Sequence, residues 1–418
     1  MKNNAGHRVA AAAAGLSLIE LMIALLISSI LLIGVIQVFA ASRTAYQLSQ
    51  GIARNQENGR FAMDFLTRDI RMAGHAGCVN DQVLLSTDAS GNPTGGNIRS
   101  LFLSGDDRDK NAVASLPFPL RFDVSIQGFE ATGTDPGKAL TLLASPAAGN
   151  ASDWSPALPS QLTALSPLKG SDIIVLRTFS PIEEMVTGFA PASNPSISYP
   201  DESVAGNTKV ATGGAGLYAI ADCKGATVFQ ASAAPTATGM SVEKKGLNKT
   251  DLAFLGKYDG ALAFRPGNAS LFRAESVAYY VALNAQTNTP SLYRARWTSA
   301  PGANGLTTTS EEMVEGVELL QLAYGEDSAP LTGPPTGYIS NTNTADILGG
   351  IENASRWRRV GAVQVGLLVR GASSETAATQ QAVAKPSVLA VTVTPPSDGQ
   401  YRSVYEATVA LRNRLFGN

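Results

Sequence analysis

The sequence predicts an α+β chain: one long N-terminal helix, transmembrane in its first part and amphipathic in its second, packed on an antiparallel β-sheet head with long loop insertions. Three observations predict it. Residues 21–39 carry no charge, no proline occurs before Pro93, and beyond Cys78 short β-branched and aromatic runs are divided by Gly, Pro, Asn, Thr and Ser. At 418 residues, 44% hydrophobic and 16% charged, the chain is too apolar for a disordered polymer, although its length alone would allow two or three domains. A formal charge of -2 without blocks of like charge excludes a nucleic-acid binder that relies on a basic face. Two His and two Cys exclude a His-rich metal centre and a disulfide-dense scaffold.

The first element is the apolar run. From Leu21 to Phe39 the only polar side chains are Ser28, Ser29 and Gln37. As a helix this run spans roughly 28 Å, about the hydrocarbon thickness of a bilayer. Lys2, His7 and Arg8 precede it and would hold the N-terminus in the cytoplasm, placing everything after about Ala41 outside. A plain signal anchor accounts for this pattern, and so does a secretory signal peptide cut at Val38 and Ala40. Neither accounts for Glu20, because a carboxylate at the head of an apolar helix is costly to bury unless it has a partner.

The helix is expected to run on from about Leu16 to Met72. Leu48, Ile52, Gly59, Met63, Leu66 and Ile70 recur at spacings that place them on one stripe, with Arg54, Glu57, Arg60, Asp64 and Arg68 largely elsewhere. Gly74 and Gly77 supply a stop. The organisation read from this is 1–15 as a leader, 16–41 as the membrane half of the helix, 42–76 as its amphipathic half, and 77–418 as a β-rich head. Strands are expected over 120–129, 172–179, 216–221, 227–231, 277–283, 291–297, 317–324, 360–370 and 404–412, with loops over 86–115, 131–169, 191–214, 232–251, 327–355 and 371–396.

The string Gly15-Leu16-Ser17-Leu18-Ile19-Glu20-Leu21 resembles the type IV prepilin motif: a short basic leader ending in Gly, a hydrophobic residue, three more residues, then Glu and an apolar helix. The resemblance implies cleavage between Gly15 and Leu16 by a prepilin peptidase/methyltransferase, N-methylation of Leu16, and a docking role for Glu20 against the N-terminal amine of a neighbouring subunit. Physical chemistry agrees, since a carboxylate and an ammonium that are each costly in hydrocarbon offset one another when aligned. Most members of that family have Phe where Leu16 stands.

Further pieces resemble the PilW family of minor pilins: Arg68–Gly74 leading to Gly77-Cys78, Gly170–Arg177, Asp222-Cys223 with Val228–Gln230, Ala278–Val281 with Leu292–Arg294, Val314–Glu318 with Tyr324–Asp327, Val365–Arg370 and Thr408–Arg414. Each piece is weak alone; their order along nearly the whole chain is more specific. The resemblance implies a pilin-like fold and a protein, not an enzyme and without cofactor, that takes part in priming type IV pilus assembly. Other minor pilins and pilus-tip proteins would be its partners. It would cross the inner membrane once with its head in the periplasm, then sit at the pilus tip on the cell surface. A J-type minor pseudopilin of type II secretion, or a membrane-tethered adhesin or ligand-binding protein, remain the alternatives.

Cys78 and Cys223 are the whole cysteine complement of a head expected in an oxidising compartment, so a disulfide is expected between them, the alternative being two buried thiols. Asp107, Asp109 and Asn111 begin like a calcium loop, but Ala112 and Phe118 stand where a turn Gly and a bidentate Glu belong, which favours a solvated acidic turn over a metal site. Gly214-Ala215-Gly216 precedes a strand instead of joining strand to helix, so it is no dinucleotide loop. His75 near Cys78 could pair with it only if the cysteine were free. Arg356, Arg358 and Arg359 around Trp357 could stack on nucleic acid, but such a cluster more often flanks a strand or meets a partner subunit.

Overall fold

A computed structural model describes residues 17–79, 98–103, 115–190, 195–212, 214, 216–223, 225–250, 264–330, 336–371, 385–411 and 413. One helix, α1 (Leu18–Met72, 55 residues), opens it. Strands β1 (Ile98–Ser100), β2 (Ile126–Ala131), β3 (Ala139–Thr141), β4 (Trp154–Ser155), β5 (Ile173–Met185), β6 (Gly188–Phe189), β7 (Ser196–Ser198), β8 (Leu217–Ala221), β9 (Ala226–Gln230) and β10 (Gly239–Ser241) follow. The second half holds β11 (Ser270–Leu283), β12 (Pro290–Thr298), β13 (Thr307–Glu315), β14 (Val317–Asp327), β15 (Ile339–Asn343), β16 (Val360–Arg370), β17 (Ser387–Val388), β18 (Val391–Thr394) and β19 (Arg402–Ala410). The fold is α+β with mostly antiparallel sheets; β1 with β9 and β3 with β18 pair in parallel.

The strands divide between two large sheets and two small ones. A nine-stranded sheet runs β1-β9-β8-β11-β5-β2-β4, with β12 also on β11 and β13 beyond it; a four-stranded sheet runs β15-β14-β16-β19. Three-stranded sheets β10-β7-β6 and β17-β18-β3 complete the head. The largest core cluster joins Ala62, Leu66, Ile70 and Ala73 of the α1 segment to Leu176 and Tyr279 of the nine-stranded sheet and Leu320, Val365 and Val409 of the four-stranded sheet. The second half of α1 is therefore a shared element of the core, and the two sheets wrap it instead of offering it one flat face.

Asp172 fastens the two large sheets. Its carboxyl accepts the backbone N–H of Ala131 on β2 and of Leu322 on β14, both at 2.8 Å. Glu130, whose Oε1 accepts the Thr134 hydroxyl at 3.2 Å, lies beside it. Burial first, then the charges of Asp172 and Asp346, push the Glu130 carboxyl up to about 10, and burial pushes Asp172 up to about 8. The two backbone donors keep Asp172 the more acidic of the pair.

Several sequence expectations need adjustment. The helix does continue to Met72, but the buried positions of α1 are Gly51, Asn55, Gly59, Ala62, Leu66 and Ile70, whereas Leu48 is 37% exposed and Ile52 and Met63 are only half-buried. Small residues take these places because strands approach the helix closely. The expected strand at 120–129 starts later, at Ile126, since Phe118–Leu120 forms a 3-10 turn. Most of the expected loops contain short strands, and nothing in the sequence marks β13, because Thr307–Glu312 is exposed and polar throughout and shows no alternation.

Candidate assembly interface

The helix has two physically distinct parts. Every residue from Ser17 to Gln50 is exposed, while the buried stripe begins at Gly51. Among the described residues α1 is the one helix long and apolar enough to cross a membrane, and none of its apolar window is covered by the head. Leu18, Leu25, Leu31, Val35 and Phe39 all stand more than 55% exposed. An apolar surface on that scale is unstable in water, so lipid or neighbouring helices must cover it.

Glu20 lies in the first turn of this free segment. Its carboxylate accepts the backbone N–H of Ser17 at 3.0 Å, satisfying one of the open donors of the helix start, where the helix dipole also favours an anion. Gly15 and Leu16, the residues flanking the expected cleavage point, lie outside the described residues, as do Asp107, Asp109 and Asn111. Among the described residues no group of three or more His, Cys, Asp or Glu is placed to hold a metal ion.

The second part of α1 is fixed to the head by polar contacts along its length. Asn55 donates to the Val369 carbonyl of β16 at 2.9 Å, and Asn58 donates to the Glu315 carbonyl of β13 at 3.1 Å. The Tyr405 hydroxyl of β19 reaches back to the Asn55 carbonyl at 3.3 Å. Further on, the Tyr279 hydroxyl of β11 donates to Asp69 at 2.6 Å, and Arg294 of β12 lies 3.6 Å from the same carboxylate while also pairing with Glu311 at 2.9 Å. Burial, then the Asp69 charge, raises the Tyr279 hydroxyl above its ordinary range, so it stays a neutral donor. At the end, Thr178 Oγ1 donates to the Met72 carbonyl at 2.7 Å.

The exit from α1 is equally tied. Gly74 and Gly77 adopt left-handed backbone angles of +79° and +73°, turning the chain so that Cys78 meets Cys223 just after β8. Their disulfide, S–S 2.07 Å and Cα–Cα 4.7 Å, spans 145 residues of sequence. His75 Nδ1 lies 3.1 Å from the Phe179 carbonyl and its ring meets Phe272 edge-on, so it acts as a packing residue at the helix terminus. The arginines around Trp357 are likewise internal: Arg356 pairs with Glu326 at 2.6 Å, Arg358 with Asp123 at 3.3 Å and Arg359 with Asp327 at 3.6 Å, and Trp357 is fully buried beneath Tyr324. They flank the start of β16 instead of presenting a basic face.

The sequence singled out Glu20 and the two cysteines, which the structure sets at opposite ends of α1. Asn55, Gly59, Asp69 and Tyr405 lock the helix to the head, and sequence spacing alone does not group them. The signal available was the run of small or polar residues, Gly51, Asn55, Gly59 and Ala62, at spacings of three and four.

Residues 278–413, about a third of the chain, match the family model described as Type IV Pilus-assembly protein W (PilW). The matched stretch starts within β11 and takes in β12 to β19, so it holds most of the strands that dock α1, but not β5, α1 itself or the cysteines. No curated protein and no solved structure matches the chain. The family match supports a type IV pilus-related protein, and the long apolar helix is consistent with a membrane anchor.

Proposed function

We propose that the chain is a minor pilin that waits in the inner membrane on the free half of α1, with its head in the periplasm, and is then drawn into a pilus. There it takes part in priming assembly and stays in the tip complex with other minor pilins. The observation that carries this reading is the division of α1 at Gly51: 34 residues from Ser17 to Gln50 project without head contacts, while the continuation is built into a core whose strands match a pilus-assembly family. A lone signal anchor needs no such rigid splice. A filament subunit does, because force on the buried helices must reach the head.

In this reading chemistry is done to the chain and not by it. A prepilin peptidase cuts between Gly15 and Leu16 and the new amine of Leu16 is methylated. Glu20 then pairs with such an amine on a neighbouring subunit. Its present partner, the Ser17 N–H, is a local cap that an ammonium can replace or share, since a carboxylate accepts several hydrogen bonds. Mass spectrometry of the N-terminus of the chain purified from membranes tests the processing step. Methylated Leu16 as the first residue is expected; a chain beginning at Ala41 would mean a cleaved secretory signal, and an uncut Met1 a plain anchor.

A further inference from the structure

Strand β11 changes partner part-way along one edge. β8 pairs with Ser270–Arg273 and β12 with Ser276–Leu283, so Ala274 and Glu275 fall between the two registers, while β5 pairs along the other edge with a register shift between Phe272 and Ala274. Where the partners part there is a cleft of about 60 Å³, lined by Leu217 at the start of β8, by Arg273, Ala274 and Glu275 of β11, and by the Arg296–Thr298 end of β12. Its polar inventory is lopsided. Arg273 and Arg296 bring two guanidinium groups. The single anionic group is Glu275, whose carboxylate sits 3.8 Å from Arg296, beyond hydrogen-bond length, with both side chains at least 30% exposed.

We propose that this fork is a binding site for one carboxylate group. Arg273 is held in place because its Nε donates to the Val210 carbonyl at 3.0 Å and its Nη2 to the Lys209 carbonyl, which leaves Nη1 without a partner among the described residues. Arg296, tied only loosely to Glu275, is free to turn to an incoming anion. A cleft of about 60 Å³ has room for a carboxylate group. Planar guanidinium forks are matched to that geometry. The carboxylate is either a free small acid or an acidic side chain of a polypeptide; the recognition chemistry is the same.

The test uses the full chain in a detergent without carboxyl groups, with 13C-acetate as the ligand observed by NMR and acetamide as the uncharged control. Saturable acetate binding that acetamide does not compete with is expected. Arg296→Gln should weaken it by about tenfold or more, and Glu275→Gln, which removes the competing internal anion, should strengthen it severalfold. Arg273 is left intact because its loss would also free the 209–210 segment. No saturable binding, equal binding of acetamide, or unchanged binding in either variant would overturn the assignment. Comparing acetyl-Gly-Glu-Gly-amide with acetate separates the sources: tighter peptide binding identifies a polypeptide side chain, equal binding a free acid, and both uphold a carboxylate site.

Discussion

Gly59 of α1 lies directly beneath the ring of Tyr405 on β19. A Cβ at position 59 would stand 2.2 Å from Cε2 of that ring, nearer than any real contact allows. The Tyr405 hydroxyl is at the same time anchored to the Asn55 carbonyl one turn earlier, so the ring cannot swing away without giving up that bond.

Replacing Gly59 by Ala is therefore expected to destabilise the head by about 1–3 kcal/mol, despite Ala's better helix propensity. Thermal unfolding of the full chain in detergent measures it. In a Tyr405→Ala background the same substitution should be neutral or stabilising, because the ring is gone; an equal cost in both backgrounds would mean the close approach is not the cause.

Cys78→Ser should loosen the junction between the end of α1 and β8. The bridge closes a loop of 145 residues, and for a loop that long chain entropy gives a stabilisation of up to about 5 kcal/mol. Unfolding by urea with and without reductant reads it directly. The wild-type midpoint should fall on reduction to that of the variant; a midpoint indifferent to reductant would remove the bridge from the stability of the head.

Buried carboxyls at the sheet junction set a pH dependence. Glu130 and Asp172 rise from 4.5 and 3.8 to about 10 and about 8 in the folded chain. The folded state then binds more protons than the unfolded one, so their contribution is full below about pH 4 and is lost as pH rises through about 8 and about 10. Stability should fall between pH 6 and pH 10, and Glu130→Gln should flatten that decline. A wild-type profile that rises or stays level over this range would contradict the buried pair.

How much of this was legible depended on how loudly each residue speaks in sequence. The uncharged run from Leu21 to Phe39 and the absence of proline before Pro93 announce a long helix unaided. Val360–Arg370 alternates and is buried, and it forms a strand with those same limits. The docking face of α1 is legible in part: Gly59, Leu66 and Ile70 of the expected stripe are buried, but a hydrophobic count favours Leu48 and Met63 over Gly51 and Asn55, where close approach selects small or polar residues instead. Strand β13 gave no signal, since its pairing with β12 rests on backbone bonds and on pairs such as Glu311 with Arg294. Asp172 looked like one more acidic residue before a strand; only the fold brings it between Ala131 and Leu322.

The proposed assembly role turns on Glu20. In a strain whose only copy carries Glu20→Ala, the amount of the chain in the membrane fraction should match wild type, because the apolar run is untouched. Its amount in sheared pili should fall by roughly tenfold or more, as the partner of the neighbouring amine is gone. Wild-type pilus numbers together with wild-type content of the variant in sheared filaments would contradict the pilin reading of this helix.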